Sequence, residues 1–176
     1  MKPWVKGAII AALQVGLVAS LGAKLLYDRA TLPRGWAQTV PYDPDLPLRG
    51  RYVSLSLAVE AWGVSETKPG PDRQSPQEVV LRVEHGRLVA DPVRTEGGYD
   101  PVAPHLRFIP RPADRQLAIL DKPVPFFIPE HIPDPSRRPQ GEELWVEVTV
   151  PKKGPPRPIR LGVRRGSGPV VPLDLD

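Results

Sequence analysis

The chain has 176 residues, enough for one ordinary domain with its own core once a short N-terminal segment is set aside. It has no cysteine, which excludes disulfides, thiolate metal sites and thiol nucleophiles. Four of the 24 basic and one of the 20 acidic residues lie within the first 29 positions. The remainder of the chain therefore carries 20 basic and 19 acidic residues, which nearly balance. Nucleic-acid binding requires clustered positive charge. We therefore predict no nucleic-acid partner.

Proline and glycine set the backbone that the rest of the chain can adopt. The sequence contains 25 prolines and 15 glycines. Proline lacks a backbone N–H, so it is excluded from helix interiors and from the middle of a sheet. Long helices are therefore not expected after residue 32, and the composition favours short strands joined by proline-rich loops.

Residues 7–23 form a stretch of 17 uncharged residues, GAIIAALQVGLVASLGA, bounded by Lys6 and Lys24. A helix of this length is about 25 Å long, within the range that spans a bilayer, and the lysines can extend outward to the interface. We predict an uncleaved single-pass membrane anchor over residues 1–27. A cleaved signal peptide also fits the basic start and apolar middle, although Leu21 stands two residues before Ala23, where a small residue is preferred.

Small residues recur at every fourth position of this segment and would line one side of a helix. In lipid such a face lets a second helix approach closely. We predict a packing surface for a partner helix; the alternative is that short anchors are simply rich in small residues. The face consists of Ala8, Ala12, Gly16 and Ser20.

Residues 28–47 contain five turn-forming residues, Pro33, Gly35, Pro41, Pro44 and Pro47. These fix extended or turned backbone, so we interpret the segment as a proline-rich tether. Trp36 within it fits either the membrane interface or the first core position of the domain. The folded domain is predicted to begin at residue 48 and to extend to residue 176.

Residues 48–61, LRGRYVSLSLAVEA, give the clearest strand pattern in the chain. Aliphatic side chains alternate with polar or small ones from Val53 to Ala61, the period of two that places one set on each face of a strand. One face is therefore expected to be core. Burying its larger aliphatics would contribute roughly 1.5–3 kcal/mol each.

This strand also carries a family resemblance. The run Gly50-Arg51-Tyr52-Val53-Ser54-Leu55-Ser56-Leu57 resembles the signature of the GDYXXLXY family, membrane-anchored bacterial proteins of unknown function. Arg51 stands where that family has Asp and Leu57 where it has the last Tyr, so no role of the family's carboxylate is carried over. A later run, residues 126–130 (FFIPE), resembles the family's aromatic-aliphatic-Pro-Glu step. The residues that carry the resemblance are Gly50, Arg51, Tyr52, Leu55, Leu57, Phe127, Pro129 and Glu130.

The resemblance implies three things about cellular context. It implies a membrane protein of the bacterial envelope, a domain on the extracytoplasmic side of the cell membrane, and a multi-spanning membrane protein as partner. A six-residue N-terminal tail is short enough to stay inside while a large domain is translocated.

The rest of the chain predicts further strands. Residues 78–90 suggest a hairpin with its turn at His85-Gly86-Arg87, and residues 143–150 with 159–163 suggest another, with its turn at Lys152-Lys153-Gly154. Short strands are predicted at 106–109, 117–120 and 124–130, and an edge strand at 170–175. The fold class is mainly β: one N-terminal transmembrane helix, then one compact antiparallel β domain, sandwich or barrel-like, with long proline-rich loops.

No motif in the sequence indicates catalysis. The three histidines are isolated, no glycine-rich phosphate loop occurs, and the lysines beyond residue 30 lie in loop-like surroundings that do not favour a lowered pKa. We predict no cofactor, no metal and no catalytic residue, and the sequence assigns no small-molecule ligand. The prediction is a non-catalytic interaction module; the alternative is an envelope hydrolase or glycan-binding domain that uses Glu130.

Overall fold

The computed structural model divides the chain into two compact units, Met1–Leu32 and Pro33–Asp176. Nine residues separate the end of the apolar stretch 7–23 from the start of the second unit. The residues that the structure describes are 3–40, 52–61, 77–93, 102–108, 117–129 and 131–175.

The described part of the first unit forms the helix α1 over Pro3–Thr31. Its 29 residues span about 43 Å at 1.5 Å per residue. By length and composition it can cross a membrane, and its apolar side chains are exposed on every side. The predicted N-terminal helix is confirmed, and it continues four residues past the predicted limit at residue 27.

The described residues of the second unit form ten short strands. Their lengths range from two residues to ten, as expected for a chain with frequent prolines. The strands are β1 (Arg34–Val40), β2 (Tyr52–Ala61), β3 (Gln77–Glu84), β4 (Arg87–Pro92), β5 (His105–Phe108), β6 (Leu117–Leu120), β7 (Val124–Phe127), β8 (Glu142–Thr149), β9 (Arg157–Arg165) and β10 (Val171–Pro172).

Six of these strands close into a barrel. The ring runs β1-β4-β3-β5-β6-β2 and returns to β1 through an antiparallel β1–β2 pairing. Pairings are antiparallel except that β4 lies parallel to β1 and to β2. On its other edge β1 pairs with β8, which extends the sheet through β9 to β10, and β7 pairs with β2. The mainly β class is confirmed, with the barrel rather than the sandwich form.

The strand β2 contacts four others, which makes it the centre of the domain. It pairs with β1, β4, β6 and β7. Its predicted apolar face is in the core: Leu55, Leu57, Val59 and Ala61 are buried and Val53 packs against them. The face that the alternating pattern predicted to be buried is therefore the face that β2 turns toward the core. Side chains from the other strands complete the core, among them Val79, Leu81, Leu88, Leu106, Leu120, Val124, Val146, Val148 and Leu161.

The predicted tether is corrected by the structure. Within residues 28–47, α1 continues to Thr31 and residues 34–40 form β1, a strand paired on both edges. Ala37 of β1 belongs to the core cluster, so the domain begins at Pro33 and not at residue 48. Trp36 lies in this strand but is half-buried and outside the core cluster, so the interpretation of Trp36 as the first core position is wrong. Residues 41–47 lie outside the described part of the chain.

Both predicted hairpins are confirmed. Strands β3 and β4 pair around His85 and Gly86, whose φ values of 49° and 75° are the two positive values that a tight hairpin turn requires. Strands β8 and β9 pair over their whole length. At one edge of the sheet β10 pairs with β9 and contains Pro172, as predicted for an edge strand.

Candidate functional site

The two stretches that carry the family resemblance are neighbours in the sheet. Strands β2 and β7 pair antiparallel with Tyr52 opposite Phe127 and Val53 opposite Phe126. These positions are some 70 residues apart in sequence, so their pairing is not a consequence of chain proximity. Gly50, Arg51 and Glu130 lie outside the described residues.

The motif residues divide into a core set and a surface set. Leu55 and Leu57 are 2% and 0% exposed, so they stabilise the barrel and are inaccessible to a ligand. Phe127 is 75% exposed, and its ring lies 6.1 Å from that of Tyr52 between centroids. Phe126 points to the other face and packs against the core, as predicted for consecutive strand residues. Pro129 is exposed. We call Tyr52 and Phe127 the aromatic pair.

A second group of charged and aromatic side chains covers the opposite face of the sheet from the core. Strand register places Gln38 beside Trp145 and Ala58, and Trp36 beside Glu147 and Arg87. Five strands contribute to this group, which sequence analysis did not identify. We call it the arginine–tryptophan cluster, and its members are Trp36, Glu60, Arg87, Glu143, Trp145, Glu147, Arg160 and Arg164.

Two tryptophan rings in this cluster are covered by guanidinium groups. The guanidinium carbon of Arg164 lies 4.7 Å from the centroid of Trp145, and that of Arg87 lies 5.8 Å from it. Arg160 lies 5.6 Å from the Trp36 ring. At these distances the cations are attracted to the ring faces. Trp145 itself is only 6% exposed, so its faces are not open for stacking on a sugar ring.

Each carboxylate in the cluster is held by an arginine. The separations are 3.2 Å for Glu60–Arg87, 3.0 Å for Glu143–Arg164 and 2.6 Å for Glu147–Arg160. The indole N–H of Trp145 also donates to Glu143 at 3.2 Å. Three positive and three negative groups balance, so the cluster presents no net charge to a ligand.

The depression over this cluster is shallow and opens to solvent. It has a volume of about 390 Å³, which includes open solvent, and Gln38, Ala58 and Leu88 complete its lining. Carboxylates engaged in ion pairs do not serve readily as general acid or base, so the arrangement is better suited to stability than to catalysis. Among the described residues, no three His, Asp or Glu side chains are grouped to hold a metal.

The predicted helix-packing residues lie on one side of α1. Ala8, Ala12, Gly16 and Ser20 are all exposed, and a Cβ built on Gly16 would meet no atom within 4 Å. Sequence analysis overlooked Gln14, a polar residue in the middle of the same apolar stretch. The signal was present, since Gln14 and Ser20 are the only polar side chains between the two lysines.

These features define a class of protein: a mainly β chain with one helix able to cross a membrane and a closed six-strand barrel extended by further strands. No protein-family model matches the chain, and neither a curated protein nor a solved structure does so. The residues themselves therefore carry the functional argument.

Proposed function

We propose that the chain is a non-catalytic, membrane-anchored accessory protein of the bacterial envelope that associates with a multi-spanning membrane protein. The observation that carries this proposal is the exposed apolar surface of α1. Leu13, Leu17 and Val18 in its middle are 61%, 63% and 73% exposed. Apolar side chains exposed around a whole helix require lipid or another apolar helix to cover them.

The small face of α1 supports a helix as part of that cover. Ala8, Ala12, Gly16 and Ser20 leave a shallow side on which a second backbone can approach closely. Such close approach gives van der Waals contact that lipid chains do not match. The partner is therefore expected to contribute at least one transmembrane helix.

The aromatic pair supports a second contact through the domain. Phe127 exposes three quarters of its surface (75%) beside Tyr52, and aromatic side chains are enriched in protein interfaces. The two stretches that resemble the GDYXXLXY family meet at this pair. We propose on that basis that the chain is a member of this family and that its domain lies on the extracytoplasmic side.

Interaction is favoured over catalysis by the ion pairs of the arginine–tryptophan cluster. Glu60, Glu143 and Glu147 each contact an arginine within 3.2 Å. A hydrolase that works with paired carboxylates would need one of them poised to exchange a proton. The envelope hydrolase or glycan-binding alternative depended on Glu130, which lies outside the described residues.

The proposal is tested by crosslinking in native membranes, followed by identification of the captured protein. The variant is Gly16→Ile, which fills the small face, and the matched control is Gly22→Ile, which lies about a quarter turn away from that face. Apart from the nearby backbone of the helix itself, no atom lies within 4 Å of a Cβ at either position, so both sites have open space for a side chain. We expect one multi-spanning protein to be captured, and its recovery to fall at least about fivefold in Gly16→Ile alone.

Two results would contradict the proposal. Equal recovery from both variants would remove the small face from the contact. Capture of no integral membrane protein at all, with the chain itself present in the membrane, would reject the accessory role.

A further inference from the structure

Gln14 lies at the middle of the apolar stretch of α1. It is eight residues from Lys6 and ten from Lys24, which corresponds to about 12 Å and 15 Å along a helix. A glutamine side chain is too short to carry its amide to either interface from that depth. In a bilayer the amide of Gln14 would therefore lie within the hydrocarbon layer.

The amide of Gln14 needs a hydrogen-bonding partner that α1 does not supply. The hydroxyls of Ser20 and Thr31 donate to the carbonyls of Leu17 and Tyr27, each at 2.8 Å, so these polar groups are satisfied within the helix. No hydrogen bond to the Gln14 side chain is found in the described part of the chain. A buried amide without such a bond is unfavourable in lipid.

Gln14 also lies on the side of α1 that faces away from the small residues. It comes two positions after Ala12 and two before Gly16, so 3.6 residues per turn places it on the opposite face. Its neighbours there repeat at alternating intervals of three and four, the spacing of a left-handed helix pair. We call this the glutamine seam: Ala11, Gln14, Val18, Leu21 and Leu25.

We propose that α1 pairs with the α1 helix of a second copy of this chain along the glutamine seam. The two helices are parallel, and their Gln14 amides are hydrogen-bonded to each other. This rests on the membrane-spanning part of the proposed function and not on its partner. Each amide has an oxygen that accepts and an N–H that donates, so two of them satisfy each other reciprocally. Lys6 and Lys24 hold both copies at the same depth, which brings the two amides level.

The glutamine seam favours a second copy of this chain as its binding partner. A different protein would need a polar group at the same depth, whereas a second copy always carries one. The seam and the small face lie on opposite sides, so self-pairing leaves Ala8, Ala12, Gly16 and Ser20 open to the partner. The assembly would then contain two copies of this chain and two partner contacts.

The test uses the purified full-length chain in phosphatidylcholine vesicles that contain no other protein. The chain has no cysteine, so a single Val18→Cys change gives one defined crosslinking site. A disulfide forms only where two Cα atoms come within about 7 Å, which a parallel pair allows at Val18 and an antiparallel pair does not. Ala12→Cys on the opposite face is the matched control.

We expect oxidation to convert Val18→Cys into a disulfide-linked dimer while Ala12→Cys stays at background. Adding Gln14→Leu should lower the Val18→Cys crosslink at least about fivefold, because leucine keeps the helix in lipid but removes the amide. Gln14→Asn should retain it. Gly16→Ile should also retain it, which separates this contact from the partner contact.

Three outcomes would overturn the inference. One is an equal crosslink with and without Gln14→Leu, and a second is preferential crosslinking at Ala12. The third is a chain that stays in the vesicle membrane but gives no crosslink at Val18. None of these outcomes bears on partner capture in cells, so the two proposals fail separately.

Discussion

Leu57 lies at the centre of β2 and has no exposed surface. Truncating it to alanine leaves a cavity that the surrounding strands cannot fully close, so Leu57→Ala should lower the free energy of unfolding by about 2–5 kcal/mol. Urea unfolding of the full chain in mild detergent, followed by tryptophan fluorescence, measures this loss. Phe127→Ala is the control, since a side chain that is 75% exposed should change stability by less than about 1 kcal/mol. Equal effects would contradict the assignment of core and surface.

Gly162 of β9 is required by the tryptophan that packs over it. A Cβ at this position would lie 2.7 Å from Val170 and 2.8 Å from the Trp36 ring, closer than real contacts allow. Gly162→Ala should therefore lower the free energy of unfolding by about 1–3 kcal/mol through overpacking. The same urea experiment measures it, with Gly168→Ala as the comparison; a Cβ there meets one close atom, the Arg165 carbonyl oxygen at 3.1 Å, so a smaller loss is expected. A neutral Gly162→Ala would show that Trp36 is free to move away.

Residues of the core were predictable and residues of the cluster were not. The alternation from Val53 to Ala61 depends only on near neighbours in sequence, so it identified the buried face of β2 directly. The arginine–tryptophan cluster extends from Trp36 to Arg164 and depends on the register of five strands. A pairing such as Glu143 with Arg164 is visible only once that register is known.

At the level of elements, local turn signals predicted the hairpins and no such signal marked β1. The buried positions of β1 are Gly35, Ala37 and Thr39, which together give little hydrophobic contrast. Small residues are needed there because a Cβ on Gly35 would lie 3.1 Å from Val83 and 3.2 Å from the β4 backbone. Backbone hydrogen bonds on both edges stabilise this strand. Because backbone pairing does not depend on the side-chain pattern, the sequence pattern did not predict β1.

The prediction that α1 is an uncleaved anchor needs an experiment, because an anchor and a cleaved signal peptide share the same apolar composition. An uncleaved anchor keeps the chain in the membrane pellet after an alkaline carbonate wash and preserves its N-terminal sequence from Met1. We expect retention with the full mass of 19.4 kDa. Release of a shorter chain into the supernatant would instead identify a cleaved signal.

A charged residue in the middle of α1 provides the control for that experiment. Leu13→Arg places a cation at the bilayer centre at a cost of about 2.5–3.5 kcal/mol on insertion scales. This variant should be partly lost from the pellet, whereas Leu13→Ile should not. Leu13 is 61% exposed, so the substitution leaves packing within the chain unchanged.

The whole molecule combines a closed barrel with two exposed sheet ends, β7 and β10. Closure of six strands removes most free strand edges, and Pro172 and the brevity of β10 limit pairing at one remaining end. The other end carries the aromatic pair. Among the described residues of the β unit, Phe127 is the most exposed large apolar side chain at 75%, ahead of Val80, Val102 and Val171, and an exposed aromatic of this kind suits an interaction module.

The side of the membrane on which this domain lies follows from how the chain is inserted. Lys2 and Lys6 precede the apolar stretch, whereas Lys24, Arg29 and Arg34 follow it, so charge alone does not orient the helix. A large domain is translocated largely regardless of its flanking charge, and a six-residue tail with two lysines stays inside with ease. Charge and tail length therefore permit translocation without dictating it, and we propose a cytoplasmic N-terminus and an extracytoplasmic barrel chiefly because the resemblance to the GDYXXLXY family implies that orientation.

A reporter enzyme that is active only outside the cytoplasm tests this orientation when it is fused after Asp176. Activity is the expected result, because the reporter would follow the barrel across the membrane. The matched fusion replaces the reporter with a fluorescent protein that matures only in the cytoplasm, which should then stay dark. Fluorescence of the second fusion together with an inactive reporter in the first would place the barrel in the cytoplasm. The aromatic pair would then face cytoplasmic proteins, and the proposed envelope role would be rejected.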